Sequence, residues 1–431
     1  MRIIRLTKES RKGLLGELLQ RSPNCYGQYE KAVEEIVGQV RSRGDEALFS
    51  YTEQFDGCRL TAETVRVSEE EIDRACAQAD PEFMKAMEES AKNIRRFHEK
   101  QLRNSWFDAR PDGTILGMKI LPLAVAGVYV PGGKAAYPSS VLMNVIPAKV
   151  AGVPKIIMTT PPGADGTVDP GTLAAARVAG VDEIYRAGGA QAIAAMAFGT
   201  ESIPRVDKIT GPGNIFVALA KKACFGHVSI DSIAGPSEIL VIADETANPR
   251  YVAADLLSQA EHDELASAIL ITTSEKLAKE VSDQVDRFLE TLERREIIQK
   301  SLDRYGYILL ADSLEEAAEA ANEIASEHLE ILTENPFELM TRIRNAGAIF
   351  LGEYSSEPLG DYYAGPNHVL PTNGTARFFS PLGVDDFIKK TSIISYSRQA
   401  LRRAHEKIER FARQEGLTAH ENSIRVRFEE D

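Results

Sequence analysis

Cysteine is scarce in this chain. Cys25, Cys58, Cys76 and Cys224 are scattered through 431 residues with no C-x-x-C spacing. That excludes a disulfide framework and a cysteine-rich zinc site as the organising idea, and it leaves free thiols of the kind a reducing cytoplasm maintains. Long apolar runs are missing as well. No segment approaches the ~18 consecutive apolar residues of a membrane helix, and the start, Met1–Glu9, lacks the apolar core of a secretory signal. A soluble, cytoplasmic protein is expected. Positive charge is in deficit, since 50 Lys and Arg face 64 Asp and Glu, for a net charge of −14. A nucleic-acid partner needs a basic face, so that class is excluded. Pairs such as Arg95-Arg96 and Arg402-Arg403 are too short to alter this and read as solvated helix faces. Two familiar signatures are also absent. There is no G-x-G-x-x-G dinucleotide fingerprint and no H-E-x-x-H zinc motif; the nearest, His405-Glu406-Lys407-Ile408-Glu409, lacks the second histidine.

What is present is an ordinary globular composition, 43% hydrophobic and 26% charged, in a length that accommodates roughly two to three domains. The first part is mainly helical. Ser68-Glu69-Glu70-Glu71 is a capping-box start, and Asp80-Pro81 opens a helix running toward Arg103, with Phe83, Met87, Ala91 and Ile94 as its apolar stripe. From about residue 114 to 352 short apolar strands alternate with helices. The predicted strands are Ala124–Val130, Lys155–Thr159, Glu238–Ala243, Ala268–Thr272, Tyr307–Leu310, Leu329–Leu332 and Ala348–Leu351. The predicted helices are Val141–Ala151, Gly171–Ala179, Ile215–Ala223, Arg250–Glu261, Glu275–Leu292 and Leu314–Ala325. Continuous apolar strands alternating with helices imply parallel sheets covered on both faces. A weak likeness between Ala148–Thr160 and His262–Thr273 fits two related α/β halves, or chance. Glu353–Phe379, rich in Gly, Pro, Asn, Ser and Tyr, reads as a long functional loop. The tail carries an amphipathic helix with Ala400, Leu401, Ala404, Ile408, Phe411 and Ala412 on one face, a C-cap glycine at Gly416, and a strand-like end at Ser423–Phe428.

The chemistry concentrates in a few segments. Glu327-His328 sits in the apolar run Ile324–Leu332; a carboxylate and an imidazole side by side can divide acid–base work, one activating water and the other moving a proton. Of only seven histidines, His262, His328, His368 and His420 fall in motif-like surroundings, whereas His98 and His405 are expected to face solvent and His227 to be structural. Gln259 and His262 are i, i+3 near a helix end, Asp361 and His368 lie in the long loop, and His420 in the tail. Two imidazoles and a carboxylate suit zinc or a similar ion, although on chemistry alone Glu261 or Asp263 would be a more natural companion for His262 than an amide. Four glycine loops, Val130–Ser140, Ala187–Gln191, Thr210–Asn214 and Ala234–Glu238, lie at predicted sheet edges. Each is singly consistent with a tight turn, but glycine admits close approach of backbone N–H groups to phosphate, and together they point to a nucleotide crevice.

In this order and spacing the segments resemble the L-histidinol dehydrogenase family over nearly the whole chain. The telling pieces are Tyr129–Gly133, Thr210–Asn214, Ala234–Glu238, Gln259–His262, Ser326–Leu329, Gly365–Pro371 and Glu415–His420. The resemblance implies a zinc-dependent, NAD-linked, four-electron oxidation of L-histidinol to L-histidine through bound L-histidinaldehyde, the last steps of histidine biosynthesis. It implies Gln259, His262, Asp361 and His420 as ligands of one zinc ion per subunit, and Glu327 and His328 as the acid–base pair. Ser237, His368 and Glu415 would contact substrate together with the zinc ligands and His328, and Tyr129, Gln191 and Asn214 would line the dinucleotide site. It further implies a homodimer of intertwined chains in which the tail completes the partner's site.

The expected fold is therefore α/β, with two incomplete Rossmann-like domains of parallel sheet, an N-terminal helical arm and a small C-terminal tail domain. The expected division is 1–23 for the arm, 24–127 with 239–380 for one α/β domain, 128–238 for the other, and 381–431 for a dimerisation tail; the discontinuous pairing follows from the resemblance. Rival readings are a zinc/NAD dehydrogenase of another polar alcohol, a zinc hydrolase using Glu327 as general base, and a non-catalytic nucleotide- or metal-binding protein.

Overall fold

The computed structural model describes residues 1–19, 21, 27–132 and 137–429. Cys25, and Gly133–Ala136 of the first glycine loop, lie outside the described residues. The chain divides into two compact units, one of Met1–Gln101 with Leu123–Phe387, the other of Leu102–Pro122 with Ile388–Asp431. In chain order the strands are β1 (Arg2–Arg5), β2 (Trp106–Ala109), β3 (Ile115–Pro122), β4 (Val125–Tyr129), β5 (Lys155–Thr160), β6 (Glu183–Arg186), β7 (Lys208–Thr210), β8 (Ser229–Ile230), β9 (Glu238–Ala243), β10 (Ser267–Thr272), β11 (Gly306–Leu310), β12 (His328–Leu332), β13 (Ala348–Leu351) and β14 (Ile388–Ser395).

The larger unit holds two parallel sheets, β6-β5-β4-β7-β8 and β1-β11-β10-β9-β12-β13. Apart from the edge strand β1, both have one topology. The first strand is central, the next two build outward on one side, and the last two on the other. This is the 3-2-1-4-5 order of a doubly wound sheet with its sixth strand missing, and it is the structural content of the two resembling segments, which lead into β5 and β10. The edge strand β1 pairs in parallel with β11, Arg2 opposite Tyr307, so residues 2–5 are a part of the second sheet that the sequence pattern did not single out.

Continuous apolar strands arise because both faces are covered. On one face of the second sheet Ile239, Val241, Ala268, Leu270 and Ile308 pack with Val252, Leu256, Val281, Val285 and Ile298 of the helices Pro249–Ala260, Glu275–Leu289 and Arg295–Tyr305. On the other face Leu240, Ile242, Ile271, Leu329 and Ile331 meet Leu14 and Leu18 of the helix Lys8–Leu19 and Ala317–Ala321 of the helix Leu314–Ile324. The first sheet is covered in the same way, with Val33, Ile36 and Val40 of the helix Gly27–Arg43 packed into the core that holds Tyr129, Ile157, Ile193 and Ile209. The capping box at Ser68 forms with both reciprocal hydrogen bonds, and the helix opened by Asp80 runs over Pro81–His98.

The smaller unit is an antiparallel sheet, β14-β3-β2, with two helices, Arg398–Gln414 and Thr418–Arg425. Gly416 follows the first helix at φ 72°, with the Leu417 amide returning to the Ala412 carbonyl at 2.8 Å, the left-handed stop expected of a glycine there. The strand-like end at Ser423–Phe428 is a correction: Thr418–Arg425 is helical. Alternation over six residues is a weak signal beside the local hydrogen bonds of a helix, reinforced by the Arg413–Glu421 ion pair.

The glycine loop after β7 shows how the first sheet holds its edge. Gly211 has φ 118°, and a Cβ there would lie 2.0 Å from the Tyr129 carbonyl oxygen, so only glycine permits β4 and β7 to end side by side. The loop is held from below by a buried ion pair. Lys221 Nζ meets the Asp231 carboxylate and donates to the Gly211 carbonyl at 3.0 Å, while the Gly211 amide donates to Asp231 Oδ2 at 2.8 Å. Removing one partner of such a pair strands a buried charge, which costs about 3–5 kcal/mol. Lys221→Met is therefore expected to lose about 3 kcal/mol or more of stability in urea denaturation; an unchanged midpoint would mean the pair does not hold the loop.

Candidate active site

The acid–base pair lies where strand pairing begins. His328 is the first residue of β12 and stands opposite Ile239 of β9. Glu327 is 7% exposed and His328 3% exposed, so both have left water almost completely. One residue of β9 touches both. The Glu238 amide donates to Glu327 Oε2 at 2.9 Å, and the Glu238 carbonyl accepts from His328 Nδ1 at 3.1 Å. A carbonyl can only accept, so Nδ1 carries a proton and the neutral ring keeps its lone pair on Nε2. That nitrogen has no hydrogen-bond partner and lies 3.6 Å from Asp361 Oδ1.

Around Nε2 carboxylates accumulate. Donor atoms of His328, Glu357 and Asp361 all lie within 4.8 Å of one another, a spacing that suits a cation. The helix Glu357–Tyr362 places Glu357 and Asp361 one turn apart on one face. The Ser258 hydroxyl donates to Glu357 Oε2 at 2.9 Å, and the Glu357 amide to Glu330 Oε1 at 2.9 Å. His368 donates from Nδ1 to the Asp361 carbonyl at 3.1 Å, and its Nε2 lies 3.4 Å from Ser140 Oγ.

Burial and charge displace the ionisations in opposite directions. Burial pushes the Glu327 carboxyl up to about 8, against the neighbouring His328 charge and the Glu238 amide. Burial disfavours the His328 cation, but Glu327 and Asp361 outweigh it and raise the imidazole to about 10. Burial and then the Asp361 charge raise Glu357 to about 8. Asp361 is itself buried, yet His328 and His368 hold it well below the ordinary carboxylate range. Deeper still, burial followed by the Asp255 carboxylate raises Glu330. A cluster whose members cannot all be charged together stores or releases protons, or accepts a cation in their place.

The residues singled out from sequence fall into three places. Glu327, His328, Asp361 and His368 meet at the centre just described, and His262 lies within the electrostatic reach of Asp361 and His328. Crowding by protein lowers the His262 pKa and Asp361 opposes the shift. Gln259 is buried with its side-chain Oε1 unpartnered, and its carbonyl accepts from the His262 amide at 3.2 Å. Ser237 precedes β9, its carbonyl bonded to the Ser267 amide at 3.0 Å. A second group gathers at the first sheet, at the switch point between the paired strands β4 and β7. The Tyr129 hydroxyl accepts from the Gly189 amide at 3.2 Å. Gln191 is buried with an unpartnered Oε1, and Asn214 caps the helix Ile215–Cys224 through the Phe216 and Val217 amides. Three of the four glycine loops thus follow β4, β6 and β7, at the carboxyl edge of one sheet and around its switch point. The fourth, Ala234–Glu238, is different. It leads into β9, and Gly235 packs so closely on Asn373 that a Cβ would reach its Nδ2 at 1.7 Å. Glu415 and His420 make the third group, both exposed and both in the smaller unit.

Three corrections concern residues read differently from sequence. His98, expected in solvent, is fully buried with Nδ1 donating to the Ile94 carbonyl at 2.8 Å. His405 is part-buried and paired with Glu409 at 3.1 Å, where solvent exposure was expected. Glu357 was missed because 353–379 read as loop; its i, i+4 relation to Asp361 after Ser356-Glu357-Pro358 was the available signal.

Fold and site together define an α/β protein of the doubly wound class that sets a buried carboxylate–imidazole pair beside a candidate cation cluster. A family model for histidinol dehydrogenase matches residues 19–428. The histidinol dehydrogenase of Halalkalibacterium halodurans is 61% identical over 402 residues, covering 93% of this chain and 94% of that one. That of Caldanaerobacter subterraneus subsp. tengcongensis is 56% identical over 425 residues, covering 99% and 98%. The crystal structure of histidinol dehydrogenase from Elizabethkingia anophelis superposes with a TM-score of 0.93 at 39% identity, covering 100% of this chain and 98% of that one. The chain belongs to the histidinol dehydrogenase family and is an oxidoreductase.

The neighbourhood of Asp361 yields a direct check. His328 is expected to titrate near 10 in the metal-free protein, held there in part by the Asp361 charge. Asp361→Asn removes a group that favours the cation, so the midpoint falls toward the ordinary 6.5. Nitrogen NMR of the histidine side chains across the alkaline range reads it; a midpoint unmoved by the substitution would remove Asp361 from the account.

Proposed function

We propose that this protein oxidises L-histidinol to L-histidine through bound L-histidinaldehyde, with NAD as hydride acceptor and zinc as the resident metal. The observation that carries the reading is the adjacency of Glu327 and His328, with Nδ1 of the histidine committed to the Glu238 carbonyl and Nε2 left to face Asp361. The family resemblance supplies the substrate.

Gln259, His262, Asp361 and His420 are the proposed zinc ligands. The buried, unpartnered Gln259 oxygen supports this set, since a buried acceptor without a donor costs about 1–3 kcal/mol and a cation removes that cost. Zinc, when bound by these residues, would supply orientation of the substrate rather than activation of the reacting oxygen. His328, in its neutral form, takes the hydroxyl proton through Nε2 as hydride leaves the alcohol carbon for NAD, and then releases that proton to solvent. Glu327 withdraws a proton from water as it attacks the aldehyde, and the neutral His328 accepts the remaining hydroxyl proton as the second hydride leaves for a second NAD. A carboxyl raised to about 8 is a stronger base once ionised than an ordinary one, which suits water activation. Ser237, His368 and Glu415 are the further substrate contacts, and Tyr129, Gln191 and Asn214 the dinucleotide contacts. The switch-point loops beyond β4 and β7 support a dinucleotide there.

A homodimer belongs to the same reading. The smaller unit leaves Trp106, Phe107, Ile394 and Phe411 at 50%, 63%, 75% and 73% exposure. So much apolar surface on one small unit suits a second copy of this chain, with Glu415 and His420 contributed across the interface. The cytoplasmic assignment is kept on the same footing; among the described residues no helix is long and apolar enough to cross a membrane.

Two outcomes are expected. Zinc-loaded protein should form two NADH per L-histidinol, lose the activity on chelation and regain it with zinc; one NADH would mean release of the aldehyde and no role for Glu327 as water activator. Glu327→Gln should slow aldehyde oxidation by about 100-fold or more, within the usual range for a lost general base, and alcohol oxidation much less. Stopped-flow measurement of the two half-reactions separates these, and equal losses count against the assigned role.

A further inference from the structure

We infer that Arg21 is a positioning residue for the acid–base pair, acting through Glu238; the inference rests on the acid–base reading of Glu327 and His328 above. Glu238 is the hub of that pair, because its amide holds the Glu327 carboxylate and its carbonyl holds His328 Nδ1. It is also the first residue of β9, at the point where the ladder meets the loop Ala234–Ser237. Toward β12 the ladder pairs begin at Ile239, while toward β10 Glu238 itself pairs with Ser267. Strand pairing thus holds residue 238 on one side only, and a further anchor steadies it.

Its side chain supplies one. The Glu238 carboxylate is fully buried and paired with the Arg21 guanidinium, which is 1% exposed. Arg21 comes from 217 residues earlier in the chain. Its Nη1 donates to the Leu265 carbonyl at 2.8 Å, and its Cζ lies 5.2 Å from the centre of the Tyr305 ring. Leu265 stands two residues before Ser267, whose amide bonds the Ser237 carbonyl at 3.0 Å. The guanidinium therefore ties the entrance of β9 to the entrance of β10, on the side away from β12. A planar, forked donor suits this better than a point charge.

Stability does not account for such a pair. Buried ion pairs are typically no better than well-packed apolar side chains of equal volume. What this one adds is a fixed place for the peptide groups on either side of the Glu238 Cα, and those groups orient the two reacting side chains. Displacement of a catalytic group by about 1 Å can cost about 100-fold in rate. No hydrogen bond joins Arg21 or the Glu238 carboxylate to the side chain of Glu327 or His328, so the effect is chiefly one of placement, with the Glu238 charge adding to the burial that raises Glu327.

The test uses the full-length, zinc-loaded protein with L-histidinol and NAD, comparing Arg21→Met, Arg21→Lys and the double variant Arg21→Met/Glu238→Met. Arg21→Met is expected to lower kcat about 100-fold, with KM for L-histidinol and for NAD within about twofold of the parent. Arg21→Lys, which keeps the charge and loses the fork, should recover part of that loss. The double variant removes both charges and so leaves no stranded carboxylate; it should melt within a few degrees of the parent yet keep kcat at least about tenfold low. A kcat for Arg21→Met within threefold of the parent overturns the inference. So does full recovery of kcat in the double variant, which would reduce Arg21 to a counter-ion. If Arg21→Met fails to fold, the lysine and double variants decide by the same criteria. Failure of the underlying reading looks different: the parent makes no NADH from L-histidinol, or Glu327→Gln turns over normally.

Discussion

Parallel pairing of β12 with β9 is the constraint on which the site depends. It sets His328 opposite Ile239 and brings the Glu238 peptide groups against Glu327 and His328. Both strands are interior to a six-stranded sheet covered on both faces, and every residue of the two is buried. A one-residue slip would exchange the faces of β12 and turn His328 away from its carbonyl partner. The alternation of polar and apolar residues in β12 opposes that slip, because it would drive His328 and Glu330 into the apolar face now filled by Leu329 and Ile331. Core packing and site geometry are in this sense one requirement.

The same burial creates the chemistry. Glu327, Glu330 and Glu357 are raised because water has been removed around them, while Asp361 is lowered by the two imidazoles beside it. Carboxylates close together in a dry site cannot all ionise, so the cluster either retains protons or takes up positive charge from elsewhere. Its neighbour Gln259, buried without a donor, makes the same demand from the other side. A metal ion, a substrate ammonium and a protonated imidazole are three ways to meet it. The first sheet contributes by a different device, glycine at Gly211, where two chain segments approach more closely than any side chain permits.

Much of this was legible in the sequence. Continuous apolar runs bounded by glycine loops predicted seven strands of the two sheets, six interior and β13 at an edge, and the Ser68 and Asp80 caps predicted their helices. Glu327-His328 stood out because a charged pair inside an apolar strand must be explained. Short strands such as β6, β7 and β8 were not legible, since two to four residues carry no periodicity. Glu357 was hidden by the composition around it, and His98 by the charged helix on which it sits, although one buried face is enough to remove it from solvent.

By itself the sequence determined which residues are apolar, where strands and helices begin, and which side chains can transfer protons or bind cations, because these depend on residue type and local spacing. The tertiary structure alone decided that the Glu238 peptide would serve both Glu327 and His328, that Arg21 would be its partner, and that Glu357 would join Asp361 and His328. The link from Glu238 to Glu327 spans 89 positions and that from Arg21 to Glu238 spans 217. They exist only when strands distant in the chain are paired and water is excluded between them, and no local pattern encodes that distance.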